Sequence, residues 1–180
     1  MDILVNNKNT IFNKKDFPML ISGIDKTGTS FFSICLLANL LKAGEKVLFF
    51  SAYQAAKEAF AEQITNNKEN AIVIESGEEE IFLEVIKNTP DLSERFLLIK
   101  NMEVYSEKVF EATKGLNLVI FSGDLDKCSF ADKLVEKDFS SKIFFSQSEK
   151  YPQEGLGNLP KYFGKIIGNR INGIIKLDIK

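Results

Sequence analysis

Short apolar runs separated by helical patterns constrain this chain more than any other feature. Met19–Ser22, Val47–Phe50, Ala71–Ile74, Phe96–Ile99, Leu118–Phe121 and Ile143–Phe145 carry almost no polar alternation. Runs of this kind belong to strands covered on both faces, the usual setting of parallel strands. Between them lie helical stretches. Thr29–Ala43 has Phe31, Ile34, Cys35, Leu37, Ala38, Leu40 and Leu41 on nearly all sides, which predicts a helix buried on more than one face, with Gly44 ending it at C′. Ala55–Ile64 reads as helix, and Glu78–Lys87 places Ile81, Phe82, Val85 and Ile86 on one side. Ser106 caps a helix to about Lys114, and Ser129 caps another with Asp132 at N3 of a capping box.

This alternation predicts an α/β fold, a three-layer α/β/α sandwich on a mostly parallel sheet. Terminal β-hairpins flank it. Ile3–Val5 and Thr10–Phe12 surround Asn6–Asn9, and Tyr162–Ile167 and Ile174–Ile179 surround a Gly168–Gly173 turn. The second hairpin is expected to close one edge of the sheet. Tyr151–Pro160 reads as loop. At 180 residues the chain suits a single domain, 1–180.

Composition removes whole chemistries. The chain has no histidine, so it has no Ser-His-Asp triad, no Cys-His pair and no imidazole metal ligand. Its 2 cysteines, Cys35 and Cys128, do not form a disulfide framework, which fits a reducing, cytoplasmic setting. Net charge −2 gives no global attraction to nucleic acid. The polar N-terminus shows no signal peptide, and no apolar stretch is long enough to span a bilayer, so no membrane contact is expected from this chain itself.

One segment points to phosphate. Gly23-Ile-Asp25-Lys26-Thr27-Gly28-Thr29-Ser30 follows the first core strand and opens a buried helix. The phosphate-loop pattern is G-x-x-x-x-G-K-[ST], in which glycines let backbone N–H groups wrap a phosphate at a helix N-terminus. Both glycines fit, and Ser30 takes the Mg²⁺-ligand position, but Thr29 stands where the lysine belongs. A hydroxyl replaces a full charge, and charge-assisted hydrogen bonds are roughly twice as strong as neutral ones. Lys26 is an in-loop replacement, or an ordinary solvated lysine.

The second half of such a site is an acid after a later strand, which orders Mg²⁺ and its water. At the end of Arg95–Ile99 that place is held by Lys100, followed by Asn101 and Glu103. The next strand offers Ser122 and Asp124. Glu103, Asp124 and Asp126 are substitute acids, or solvated loop carboxylates. A cation at position 100 would repel the metal. The expectation is that Mg²⁺-dependent hydrolysis is lost. Weaker features read as surface or core: Glu78–Glu80 suits a helix N-terminus, Lys161, Lys165 and Arg170 are scattered surface charges, and Phe49-Phe50 and Phe144-Phe145 are strand core.

Asp16-Phe-Pro-Met-Leu-Ile-Ser-Gly23, the helix ending Leu-Leu-Lys-Ala-Gly44, and Val47–Ser51 resemble the FtsK/SpoIIIE branch of the RecA-like P-loop ATPases. Asn158-Leu-Pro-Lys-Tyr-Phe-Gly164, with the hairpin ending Ile175-Lys-Leu-Asp178, is similar to the strand pair that closes such domains. Within the branch, the chain looks most like the degenerate C-terminal ATPase domain of the type VII secretion membrane ATPase. That resemblance implies a motor-like domain in the cytoplasm, in some cases the cytosolic part of a membrane-anchored ATPase. It would stack with sister ATPase domains and handle a protein substrate or DNA. ATP is the cofactor implied, and Mg²⁺ is put in doubt by Thr29 and Lys100. Three readings follow: a non-hydrolysing domain in regulation, assembly or substrate recognition, an ATPase rearranged around Lys26 and Ser30, and a DNA-translocase fragment.

Overall fold

The computed structural model describes residues 2–53, 66–67, 69–154, 156 and 159–178. The expected helix over 55–64 lies outside them. In chain order the strands are β1 (Asp2–Val5), β2 (Lys8–Asn9), β3 (Met19–Ser22), β4 (Val47–Ser51), β5 (Ala71–Glu75), β6 (Phe96–Lys100), β7 (Val119–Gly123), β8 (Ser141–Phe144), β9 (Phe163–Gly168) and β10 (Gly173–Asp178). The helices described are α1 (Thr29–Lys42), α2 (Glu79–Asn88), α3 (Glu107–Ala112) and α4 (Ala131–Glu136).

All of these strands join one sheet in the order β2-β1-β10-β9-β8-β3-β7-β6-β4-β5. From β8 to β5 every pairing is parallel, and from β8 to β2 every pairing is antiparallel. Alternation along each parallel strand divides the core. Met19, Ile21, Val47, Phe49, Leu98 and Ile120 face α1, which packs Phe32, Leu36, Leu37 and Leu40 onto them. Leu20, Leu48, Phe50, Ile99 and Phe121 face the other way, toward Phe82 of α2, Val109 and Phe110 of α3, and Leu134 of α4. Helices therefore cover both faces, as the continuous apolar runs require. The expected three layers are present.

α1 ends in a Schellman turn. Gly44 adopts φ +81°, its N–H reaches the Leu41 carbonyl at 2.9 Å, and the Glu45 N–H reaches that of Leu40 at 3.0 Å.

The terminal strands differ from expectation in three ways. In the second arm of the N-terminal hairpin it is Lys8–Asn9 that pairs with β1, and Thr10–Phe12 is not a strand. The tail hairpin does not close an edge, because β1 pairs along β10 and puts the N-terminal hairpin outermost. Arg170 in the hairpin turn is exposed but not unpartnered: its Nε donates to Asp16 Oδ1 at 2.9 Å, and Asp16 is 1% exposed. One helix start also moves. α4 begins after Phe130 without a side-chain cap, and the Ser129 hydroxyl instead donates to the Tyr105 carbonyl at 3.1 Å.

Candidate nucleotide-binding cleft

The loop after β3 leaves the sheet at the carboxyl ends of the parallel strands. Ser22 lies in register with Gly123 and Phe144, and Lys100 with Ser122. Open α/β sheets bind ligands at this edge. A single strand, β7, separates the loop strand from β6.

The loop closes on itself. Thr27 donates its hydroxyl to the Ile24 carbonyl at 2.6 Å, and its Oγ1 lies 3.3 Å from that of Thr29. Ile24 N–H reaches Ser146 Oγ at 3.0 Å, and Gly23 N–H reaches the Gly123 carbonyl at 3.2 Å. Gly28 is needed where it stands: at φ +121°, a Cβ there would also meet Tyr162 Cα and Cδ1 at 3.2 Å. Among the described residues no acceptor takes the backbone N–H groups of Lys26, Gly28, Thr29, Ser30 or Phe31. Gly28 to Phe31 open α1 and Lys26 lies in the loop just before it, which is the arrangement that holds a phosphate.

A cleft of about 190 Å³ lies over this loop, and its walls include Asp25, Lys26, Ser30, Asn101, Glu103 and Asp124. Gly23, Gly28 and Thr29 also line it, whereas Thr27 and Lys100 do not. Thr29 is only 7% exposed, its hydroxyl engaged within the loop. Lys26 and Ser30 are exposed at the cleft.

Lys100 sits behind the wall, 7% exposed, donating from Nζ to Asn101 Oδ1 at 2.9 Å. Burial pulls its ammonium below the ordinary lysine range, while the nearby Glu103 and Asp25 carboxylates oppose that shift. The substitute acids are mostly committed. Glu103 Oε2 accepts the Asp124 N–H at 3.0 Å, and Asp124 pairs with Lys127 at 3.2 Å. They are not simply solvated loop carboxylates, since both line the cleft. Asp126 is not in the site: its Oδ1 accepts from the Ser148 hydroxyl at 2.9 Å and from the N–H groups of Glu149 and Lys150 at 2.9 and 3.2 Å. Among the described residues no group of three or more acids and cysteines is placed to hold a metal ion. The backbone cradle and Ser30 fit a phosphate, but the buried cation at position 100 does not fit a neighbouring Mg²⁺.

Two cleft residues from the far end of the chain escape sequence reasoning. Lys161 and Tyr162 arrive from the tail, and the Tyr162 N–H donates to the Thr27 carbonyl at 3.0 Å. Their distance along the chain hides them.

A strand, a glycine-bounded loop and a buried helix at the carboxyl edge of a parallel sheet define the P-loop NTPase fold. No protein-family model and no curated protein matches the chain. Solved structures do match in fold. The genome packaging NTPase B204 from Sulfolobus turreted icosahedral virus 2, in complex with ATP-gammaS, superposes with TM-score 0.63 at 15% identity, over 94% of this chain and 100% of that one. The flagellar accessory protein FlaH from Methanocaldococcus jannaschii gives TM-score 0.52 at 14% identity, over 90% of this chain and 89% of its own. The pCW3 conjugation coupling protein TcpA with ATPgS gives 0.56 at 12% identity, over 97% of this chain and 65% of its own. At these identities the likeness shows the fold alone, an α/β domain of the P-loop NTPase kind. Among the described residues no helix is long and apolar enough to cross a membrane.

Proposed function

We propose that this chain is a degenerate P-loop domain of the FtsK/SpoIIIE kind that holds a nucleotide without hydrolysing it and acts through contacts. The observation that carries this reading is Lys100. A buried ammonium occupies the strand end where phosphoryl transfer needs a metal-ordering acid, and Thr29 replaces the phosphate-loop lysine. The uncommitted N–H groups at the start of α1 support phosphate binding. B204 and TcpA, named for genome packaging and conjugation and solved with ATP analogues, support a nucleotide in a translocation setting. On this reading the domain serves regulation, assembly or substrate recognition of a cytoplasmic secretion or translocation ATPase, as the likeness to the type VII ATPase domain suggests. Its partners are sister ATPase domains or a protein substrate. Net charge −2 weighs against nucleic acid.

Thermal melting with ATP, with magnesium or with EDTA, tests it. Ligand at 100 times its dissociation constant adds about 2.7 kcal/mol of stability, so a clear rise in Tm is expected in both buffers. No shift at millimolar ATP would remove the nucleotide. A second reading is a rearranged ATPase. It is favoured by Lys26, Ser30, Glu103 and Asp124 sharing one cleft. Magnesium-dependent phosphate release that Ser30→Ala abolishes would establish it instead.

A further inference from the structure

We propose that Lys161, carried by the tail segment that enters β9, supplies the phosphate-binding cation that the loop lacks at position 29. The inference rests on the nucleotide reading above and assigns its missing charge.

The tail is fastened to the loop. Tyr162 donates its N–H to the Thr27 carbonyl at 3.0 Å, and its own carbonyl accepts the Leu177 N–H of β10 at 3.2 Å. Residue 162 is thus fixed between the phosphate loop and the sheet, at φ 68°. Its ring lies 5.8 Å from that of Phe31 in the first turn of α1. The Lys161 ammonium stands over this ring, 4.7 Å from its centroid, on the wall of the cleft that Ser30 also lines. A cation seated on an aromatic face loses less freedom when it meets an anion than one on an unsupported stem.

Other nearby cations are engaged or less constrained. Lys100 is buried and bonded to Asn101, and Lys127 is paired with Asp124. Lys26 lies in the loop itself at φ 68°, and its side chain packs on no ring among the described residues. Lys161 makes no ion pair among the described residues. Its charge is available to a phosphate cradled by the α1 N–H groups. Two cations from different parts of the chain can do the same work only if they reach the same anion, and this gives the test its logic.

Titration with ATPγS in EDTA should be run on the wild type, Lys161→Met, Lys161→Arg, Lys26→Met, Thr29→Lys and the double variant Thr29→Lys with Lys161→Met. Lys161→Met should weaken binding by about tenfold, the size of a lost charged hydrogen bond. Lys161→Arg should keep it, and Lys26→Met should lose less than Lys161→Met. Thr29→Lys restores the loop lysine, so adding Lys161→Met to it should cost little. The proposal is overturned if Lys161→Met binds as the wild type does. It is equally overturned if the loss persists in the Thr29→Lys background, because Lys161 would then act only by holding the tail. A wild type that binds no ATPγS at millimolar concentration overturns the nucleotide reading and this proposal with it. Wild-type binding with an unaffected Lys161→Met variant overturns this proposal alone.

Discussion

Lys100 Nζ donates to Asn101 Oδ1 at 2.9 Å, so the lysine at the end of β6 is held by the residue that turns the chain into the cleft wall. Among the described residues, one side-chain acceptor serves an ammonium with three donors that is only 7% exposed. Such a group costs stability unless something else requires it.

Replacing it should therefore help folding. The buried ammonium releases its proton at a lower pH than it would in the unfolded chain. Between those two pKa values the unfolded chain binds more protons, so stability rises with pH across that window. Lys100→Met should abolish this rise and stabilise the protein at neutral pH by about 1 kcal/mol. Urea melts between pH 7 and the lysine range measure both effects. A destabilised Lys100→Met protein would mean that the attraction of the Glu103 and Asp25 carboxylates outweighs the cost of burial.

On the proposed reading, the same residue disfavours a metal beside the nucleotide. Wild-type affinity for ATP should be equal in magnesium and in EDTA. Lys100→Asp removes the repelling charge and supplies an acid, so its affinity should become greater in magnesium. Isothermal titration in the two buffers makes the comparison.

Much of this geometry was legible because the core strands are uninterrupted. Val47–Phe50, Phe96–Ile99 and Leu118–Phe121 carry apolar side chains to both faces, and only a covered parallel sheet satisfies that pattern. The loop was legible from Gly23, Gly28 and Ser30, whose spacing is local. Residues brought in by tertiary pairing were hidden. Lys161 and Tyr162 reach the loop only because β9 and β10 fold back beside β8. Arg170 looked like a surface charge because its partner, Asp16, is 154 positions away. The Ser129 cap was misread for a related reason: its hydroxyl is drawn to the Tyr105 carbonyl, a contact outside its own helix. Thr10–Phe12 has strand composition, yet its last backbone bond to β1 is Thr10 N–H to the Ile3 carbonyl at 2.9 Å, one residue past the paired Asn9.

Ser33 and Ser122 pin the loop from below. Ser33 Oγ lies 2.8 Å from the Thr29 carbonyl and 2.6 Å from Ser122 Oγ, and both serines are buried. Ser33→Ala strands the Ser122 hydroxyl and should cost about 1–3 kcal/mol. Adding Ser122→Ala should cost much less than its single effect, since the orphaned hydroxyl goes with it. A double-mutant cycle by denaturant unfolding measures the coupling.

Asp16 and Arg170 tie the segment before β3 to the turn of the tail hairpin. Arg170→Met leaves a buried carboxylate without its cation. The cost should be about 2 kcal/mol, below that of a fully buried pair because the Arg170 side chain is 40% exposed. Asp16→Asn with Arg170→Met should be closer to the wild type than Arg170→Met alone, as melting temperatures will show.

Cys35 and Cys128 should be inert in the folded protein. Burial pushes their thiols up to about 11 and about 12 respectively, so almost no thiolate forms at neutral pH. Iodoacetamide at pH 8 should label neither in native buffer and both in guanidinium, read by intact mass. Native labelling of Cys35 would mean that α1 lifts from the sheet.

The most direct test of nucleotide holding without turnover is to identify what the protein retains. The chain is incubated with ATP and magnesium, passed through a desalting column, denatured, and its bound nucleotide separated by ion-exchange chromatography. Retained nucleotide that is intact ATP is the predicted result. ADP in the protein fraction, or no nucleotide at all, would contradict the account.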